Sequence, residues 1–160
     1  VPSQGSDDIF YDHISIHSGG INPNTSNSST TLGYWRPYDL ADGKIHVVRI
    51  RYIPRVDETL FEKMTANKNL LQYIKDNVEG RRLGTLAVYI DEGVDNGTSP
   101  ILAIPINLSV VLDLPQSLAY AGFTASTGRK WQKQDILKWR WCDAGGCAET
   151  SSSLDAQFSK

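Results

Sequence analysis

Short segments in which apolar residues alternate recur along the chain, and this pattern constrains the fold more than any other feature. In "HISIHS", Ile14 and Ile16 point to one side, and in "KIHVVRIRYI", Val48, Ile50 and Tyr52 do the same. Comparable segments are "TLAVYI", "ILAIPI", "YAGFTAST" and "ILKWRW". Short segments of period two, separated by turn residues, predict an all-β protein built as an antiparallel sandwich or barrel.

One stretch departs from this pattern. Between residues 57 and 79 the apolar residues recur at spacings of three and four, which is typical of an amphipathic helix. They are Leu60, Phe61, Met64, Leu71, Ile74 and Val78. Because the stretch lies between two predicted strands, we expect a short helical insertion at about 57–79 that docks its apolar stripe on the sheet.

Length and charge exclude several classes of protein. A chain of 160 residues can bury one good core. The formal net charge is −2 and the basic residues are scattered, so the chain lacks the electrostatic basis for binding nucleic acid. No apolar run approaches the ~20 residues of a membrane span. Without an initial Met or a signal-like segment, we expect a mature or excised piece.

Glycosylation patterns and cysteines favour a secreted, extracellular protein. Four tripeptides fit the N-glycosylation pattern, with the acceptors Asn24, Asn27, Asn96 and Asn107. Cys142 and Cys147 lie in "WCDAGGC", where four residues with two glycines can turn back far enough for a disulfide. The alternative is a metal-binding cysteine pair, although no second pair or nearby histidine completes a tetrahedral set.

An acidic loop precedes the first alternating segment. In "DDIFYDHISIHS", the carboxylates of Asp7, Asp8 and Asp12 come shortly before His13, which opens the predicted strand. Carboxylate oxygen and imidazole nitrogen are ligands that divalent metals accept in proteins. The stretch therefore predicts a metal site, and the alternative is an ordinary acidic surface loop with an exposed histidine.

The C-terminal third resembles the closing segment of L-type (legume-type) lectin domains. The pieces are "GFTASTG" at 122–128, a variable loop at 129–134 and "DILKW" at 135–139. Together with "DDIFYDHISIHS" and "DGKIHVVRIRY", the resemblance covers most of the chain outside the helical insertion and the tail. It implies a concanavalin-like antiparallel jelly-roll sandwich. Residues 1–141 would be the C-terminal portion of such a domain, and 142–160 a Cys-containing tail or linker.

The resemblance also assigns metal ligands. It implies that Asp8 bridges metals and that His13 ligates one, with Ca²⁺ as the cofactor and a second divalent metal such as Mn²⁺ beside it. These metals would fix the loop that presents polar groups to a sugar. In the family, a Glu-x-Asp strand supplies further carboxylates, whereas this chain opens with "VPSQGS". We therefore expect another chain or an upstream segment to supply the rest of the sandwich, and the alternative is that this molecule has lost the site.

The variable loop is the sugar-contacting segment that the resemblance implies, through Gly128, Arg129, Lys130 and Trp131. Backbone donors at Gly128 and Arg129 can reach a sugar hydroxyl, and Trp131 can stack on an apolar sugar face. Packing of Trp131 against the base of the loop is the alternative. The basic pair Arg129 and Lys130 suits an acidic glycan, and a solvated loop tip explains it equally well.

The expected function is glycan binding by a calcium-dependent lectin-like module, without catalysis. One alternative is a structural or assembly domain of a larger extracellular glycoprotein that keeps the fold without binding sugar. A jelly-roll glycoside hydrolase is less consistent, because it needs two carboxylates about 5 to 10 Å apart. No predicted strand carries acids at i and i+2 or i+4, and no Ser-His-Asp or Cys-His arrangement is evident. We therefore do not expect an enzyme.

Overall fold

The structure, a computed structural model, describes residues 13–20, 22, 30–36, 40–65, 83–91, 99–112, 119–126, 133–143 and 145–151. The chain divides into two compact units, Pro2–Ala121 and Gly122–Lys160. All strand pairs among the described residues are antiparallel, and the helical segments are few and short. The predicted all-β fold is therefore confirmed, and it is consistent with a concanavalin-like sandwich.

The first unit holds most of the regular structure of the described chain. Its elements in chain order are β1 (Ile14–His17), β2 (Thr31–Trp35), β3 (Val48–Ile53), a 3₁₀ helix (Glu58–Leu60), α1 (Phe61–Thr65), β4 (Gly84–Ile90), β5 (Leu102–Ile106) and α2 (Leu108–Val111). In the second unit, β6 (Lys138–Asp143) and β7 (Gly146–Ser151) form a hairpin. No helix in the described parts of the chain is long and apolar enough to span a membrane.

A three-stranded sheet with the order β3-β4-β5 is the centre of the first unit. In this sheet Val88 lies opposite both Ile50 and Leu102, while Ala87 lies opposite Ala103 and faces the other way. Val88 and Ala87 are both buried. The middle strand is therefore covered on both faces, which explains why its sequence is almost continuously apolar.

The helical segment covers one face of this sheet. Leu60 and Met64 are buried against Ala87, Tyr89 and Ala103. These two side chains come from the apolar stripe that the three- and four-residue spacing predicted. The predicted insertion is thus confirmed over Glu58–Thr65, and its docking on the sheet is confirmed as well. The remainder of the predicted range lies outside the described residues.

The hairpin of β1 and β2 approaches the opposite face at β5. Ile16 lies opposite Gly33, and a bulge follows between Ile16 and His17. A Cβ atom built on Gly33 would lie 3.2 Å from Cγ2 of Ile104 and 3.6 Å from Cδ2 of Leu102. Because the 3.2 Å separation from Ile104 is tight for two carbon atoms, the glycine allows the hairpin to come this close to β5.

The strands depart from the simple alternating pattern in two places, and the second of these is a prediction that is wrong. Val48 and Ile50 on β3 are 52% and 67% exposed, so the face that they share is not a buried one. These side chains are exposed because β3 lies at the edge of the described sheet, and because the β1-β2 hairpin contacts β5 at the other edge. The segment "YAGFTAST" at 119–126 forms no strand. Alternation alone does not make a strand, which also needs a neighbour to pair with.

The predicted boundary between the domain portion and the tail, after residue 141, lies in the second unit. Residue 141 falls within β6, which continues to Asp143 and pairs with β7. The residues just beyond 141 therefore share one hairpin with those before it. The division into a 1–141 domain portion and a 142–160 tail stays a prediction.

A buried threonine joins the helical segment to the middle strand. Thr85 is fully buried on β4. Its Oγ1 accepts a hydrogen bond from the backbone N–H of Asp57 at 2.8 Å and donates one to the carbonyl of Arg55 at 3.0 Å. Both partners lie in the chain that leads into the 3₁₀ helix, so one hydroxyl fixes where this helix begins relative to the sheet.

Replacing Thr85 with valine keeps the shape of the side chain and removes the hydroxyl. The Asp57 N–H and the Arg55 carbonyl then lose this partner, so we expect the free energy of unfolding to fall by about 1–3 kcal/mol. The measurement is urea unfolding followed by fluorescence. Thr85→Ser, which retains the hydroxyl and loses one methyl group, is the matched control and should cost about 1 kcal/mol or less. Equal losses in the two variants would contradict this role of the hydroxyl.

Candidate functional site

His13 directly precedes β1 and is half buried. Along this strand His13, Ser15 and His17 alternate with isoleucines, so they share one face. Tyr34 on β2 lies opposite Ser15, which places its half-exposed ring on that same polar face. The hairpin therefore presents a polar surface on the side turned away from the apolar residues Ile14 and Ile16.

His17 is oriented by hydroxyl groups on this polar face. Its Nε2 lies 2.8 Å from Oγ of Ser15, and its Nδ1 lies 3.1 Å and 3.3 Å from Oγ1 of Thr30 and Thr31. Both ring nitrogens thus have partners, and these partners come from both sides of the hairpin. Sequence reasoning did not single out His17, and its place in the alternation next to Ser15 was the available signal.

The structure describes only one of the two predicted metal ligands. His13 is described, whereas Asp8 and the neighbouring acids Asp7 and Asp12 lie outside the described residues. Within the described ranges, no group of three or more His, Cys, Asp or Glu side chains could hold one metal ion. The pairing of Asp8 with His13 as metal ligands therefore stays a prediction.

The predicted sugar-contacting loop, Gly128 to Trp131, also lies outside the described residues, and its two flanks lie within them. Phe123 before the loop meets Trp139 after it edge to face, with ring centroids 4.7 Å apart and an interplanar angle of 80°. Such an aromatic pair adds about 0.5–1.5 kcal/mol beyond burial. Trp141 extends the cluster at 6.1 Å from Trp139. The chain is thus brought back on itself around the loop.

The cysteines form a disulfide across the β6-β7 hairpin. Cys142 lies opposite Cys147, with an S–S distance of 2.03 Å and a Cα–Cα distance of 4.0 Å. In the turn between them, a carboxylate oxygen of Asp143 accepts a hydrogen bond from the N–H of Gly145 at 2.7 Å. Gly146 has a φ of 136°, a conformation that side-chain-bearing residues rarely adopt. The predicted disulfide is confirmed, and the alternative of a metal-binding pair is not.

Replacing both Cys142 and Cys147 with alanine should lower the free energy of unfolding by about 2 kcal/mol, the loop-entropy value for so short a closed loop. When denatured without reduction, the wild-type protein should not be labelled by a thiol reagent. After reduction, it should be labelled at both Cys142 and Cys147. Mass spectrometry after labelling measures both states. Labelling of the unreduced denatured protein would contradict the disulfide.

Among the four predicted glycosylation acceptors, Asn107 is described, and Asn24, Asn27 and Asn96 lie outside the described residues. Asn107 is the N-cap of α2, and its side-chain oxygen accepts a hydrogen bond from the N–H of Val110 at 3.2 Å. An N-cap of this kind satisfies a helix donor that has no partner within the helix. Its glycosylation stays a prediction.

The structure also brings together Asp42, His46 and Asp91, a group that the sequence analysis did not predict. His46 lies between two carboxylates: its Nδ1 is 2.9 Å from Oδ2 of Asp91 and its Nε2 is 3.0 Å from Oδ1 of Asp42. Asp42 also accepts from the N–H of Lys44 and pairs with its Nζ at 3.0 Å. Asp91 closes β4 with a φ of 48°. The Asp-to-His spacing of four was visible in the sequence, but the approach of Asp91 depends on strand pairing.

Hydrogen bonding shifts the pKa values in this group. The bond to Asp91, and then the bond to Asp42, raises the pKa of His46 above its ordinary value of 6.5. Hydrogen bonds from Lys44, first from its backbone N–H, lower the pKa of Asp42 to about 2. The bond from His46 lowers the pKa of Asp91. The group therefore favours a protonated imidazole between two ionised carboxylates.

Antiparallel sheets with few and short helices are consistent with a concanavalin-like all-β fold. The model of the legume lectin domain family matches residues 2–156, and the chain belongs to this family. No curated protein and no solved structure matches the chain. Legume lectin domains are carbohydrate-binding, non-enzymatic modules that typically bind metal ions.

Proposed function

We propose that this chain is a calcium-dependent carbohydrate-binding module of a secreted glycoprotein, and that it binds glycans without chemical turnover. The observation that carries the proposal is the family match over residues 2–156, and the acidic residues that precede His13 in the sequence support it. Binding without turnover needs polar groups fixed in advance, because each sugar hydroxyl must find its partner at low entropic cost.

In this proposal Asp8 and His13 ligate metal. Ca²⁺ prefers oxygen ligands such as the Asp8 carboxylate, and an imidazole such as that of His13 suits a second divalent metal such as Mn²⁺. The pairing of β1 with β2 supports it, since His13 immediately precedes a strand whose backbone is fixed. Ca²⁺ takes about six to eight oxygen ligands, so further ligands would come from an upstream segment or another chain.

The sugar would contact the loop at Gly128, Arg129, Lys130 and Trp131. Backbone N–H groups at Gly128 and Arg129 would donate to hydroxyls, and the Trp131 ring would stack on an apolar sugar face. The contact between Phe123 and Trp139 supports this placement, because it holds the two flanks of the loop together. Rigid flanks reduce the entropy that a binding loop loses when it meets a ligand.

An extracellular location is part of the proposal. Disulfides persist in oxidising compartments and are rare in the cytosol, so the Cys142–Cys147 bond supports secretion. The four tripeptides that fit the glycosylation pattern support it too. Detection of an N-glycan at Asn107 by peptide mass spectrometry of protein made in a secreting eukaryotic host would add direct evidence.

Retention on immobilised glycans, with and without chelation, tests the function. We expect calcium-reversible retention by the wild-type chain, and at least tenfold weaker retention and calcium affinity in Asp8→Ala, a loss of about 1.4 kcal/mol or more. Glu58→Ala removes an exposed acid from the 3₁₀ helix and is the matched control, with retention unchanged.

Other outcomes would select other functions. Equal retention by Asp8→Ala and wild type would remove Asp8 from the metal site. Failure to bind any glycan, together with thermal stability that chelation leaves unaltered, would favour a structural or assembly domain. Release of products from oligosaccharides would favour a glycoside hydrolase.

A further inference from the structure

Half of the backbone groups of β3 point away from the sheet. The N–H of Asp91 donates to the carbonyl of Val47 at 2.8 Å, and this pair continues the register of β3 with β4. In an antiparallel pair, residues that exchange hydrogen bonds with the neighbouring strand alternate with residues that do not. Every second residue from Val47 onward therefore bonds to β4, and the N–H and C=O groups of the residues between them point outward. These outward residues are Val48, Ile50 and Tyr52.

The outward side of β3 is an edge with apolar side chains on one face. Among the described residues, no strand pairs with β3 on the side away from β4. Val48 and Ile50 are 52% and 67% exposed on the face that they share. An exposed edge of this kind is a template on which a further strand can pair, because that strand satisfies the backbone groups and covers apolar surface.

The other face of β3 carries positive charge. Arg49 and Arg51 are both exposed there, and the guanidinium carbon of Arg49 lies 6.0 Å from the centroid of the Tyr89 ring. Among the described acids none forms an ion pair with Arg51, although the charge of Arg51 reaches Asp57. The chain as a whole has a formal net charge of −2, so this basic edge is a local feature.

We propose that the outward edge of β3 binds an extended, acidic segment of a partner protein, which adds one antiparallel strand to the sheet. In this segment apolar residues alternate with glutamate or aspartate. The apolar side chains lie beside Val48 and Ile50, and the carboxylates lie opposite Arg49 and Arg51. In binding by strand addition, backbone hydrogen bonds provide the affinity and alternate side chains provide the specificity. The interface goes beyond the proposed glycan-binding function and uses none of its residues.

The two arginines determine the charge of the partner strand. Because Arg49 and Arg51 exchange their hydrogen bonds with β4, they occupy non-hydrogen-bonded positions towards a new strand. At such positions opposite Cα atoms are about 4.5 Å apart, compared with about 5.5 Å at hydrogen-bonded positions. Opposite charges in facing positions stabilise a pair of strands, and like charges destabilise it. A segment with acids at alternate positions therefore fits this edge, and a segment with lysines does not.

A second copy of this chain is a poorer occupant of the edge. If two copies of β3 pair in antiparallel fashion through all three outward residues, Ile50 faces Ile50 and each Arg49 faces an Arg51. Like charges then meet at the positions of closest approach. The arginines thus oppose pairing between copies, which is a device by which natural sheets avoid association edge to edge.

Titration of the full chain with a fluorescent peptide tests the proposal. The peptide is Thr-Val-Glu-Val-Glu-Val-Thr with capped ends, and anisotropy measures its binding. We expect saturable binding, and about tenfold weaker binding when lysine replaces both glutamates. N-methylation of the three valines removes the N–H groups that face the outward residues, so it should abolish binding.

A change of charge on β3 should reverse this preference. In Arg51→Glu, affinity for the glutamate peptide should fall about fivefold or more, and affinity for the lysine peptide should rise by a similar factor. Arg55→Glu is the matched control, because it changes the net charge equally at an exposed arginine just beyond the end of β3. It should leave both affinities unchanged.

Amide hydrogen exchange, followed by nuclear magnetic resonance, locates the bound peptide. In the chain alone, the amides of Val48, Ile50 and Tyr52 should exchange faster than those of Arg49 and Arg51, which donate to β4. Saturation with the glutamate peptide should slow the three outward amides about tenfold or more.

Several results would overturn the proposal. They are the absence of peptide binding, equal binding of the glutamate and lysine peptides, and binding that leaves the outward amides unchanged. Slow exchange of these amides in the chain alone, or a dimer in analytical ultracentrifugation that protects them, would show that the edge has another occupant and would overturn it too. No glycan enters these measurements, so failure of strand addition and failure of the lectin function are distinguishable.

Discussion

The burial of β4 on both faces is the constraint on which the first unit depends. One face receives Leu60 and Met64 from the helical segment, and the other shares its register with Leu102 and Ile104 of β5. Where β4 begins, a Cβ atom on Gly84 would lie 2.5 Å from the carbonyl of Ile53. The middle strand can therefore accept neither a charge on its faces nor an extra atom at its start.

The side-chain hydrogen bonds that connect the segments of this unit also depend on β4. At one end of β4, the hydroxyl of Thr85 fixes the start of the helical segment. At the other end, the Asp91 carboxylate is hydrogen bonded to the N–H of Val47 and to the His46 ring. A hydroxyl buried in the apolar layer is stable because both of its hydrogen-bonding roles are used. The central strand thus determines the positions of the segments on either side of β3.

How far the sequence predicted the structure depends on the kind of information each feature needs. Local patterns were sufficient for β4, for the helix at 61–65 and for the disulfide, because alternation, spacing and a short cysteine loop are properties of neighbouring residues. The exposure of Val48 and Ile50 depends on which layer covers an edge strand, and this is not a local property. The candidate site divides in the same way. The family resemblance proposes Asp8 and His13 as metal ligands, which stays a prediction, whereas the bond between His46 and Asp91 joins positions 45 apart and follows from strand register.

The cap of α2 affects how a sugar chain at Asn107 can be studied. The cap uses the side-chain oxygen of Asn107, and an N-linked sugar is joined to the nitrogen, so the helix start and the modification can coexist. The customary exchange of asparagine for glutamine would lengthen the side chain and disturb the cap, at a cost of about 1 kcal/mol. Loss of folding in that variant would be mistaken for a need for the sugar. Aspartate at position 107 abolishes the attachment point and retains a capping oxygen, so it separates the effect of the missing sugar from that of a frayed helix.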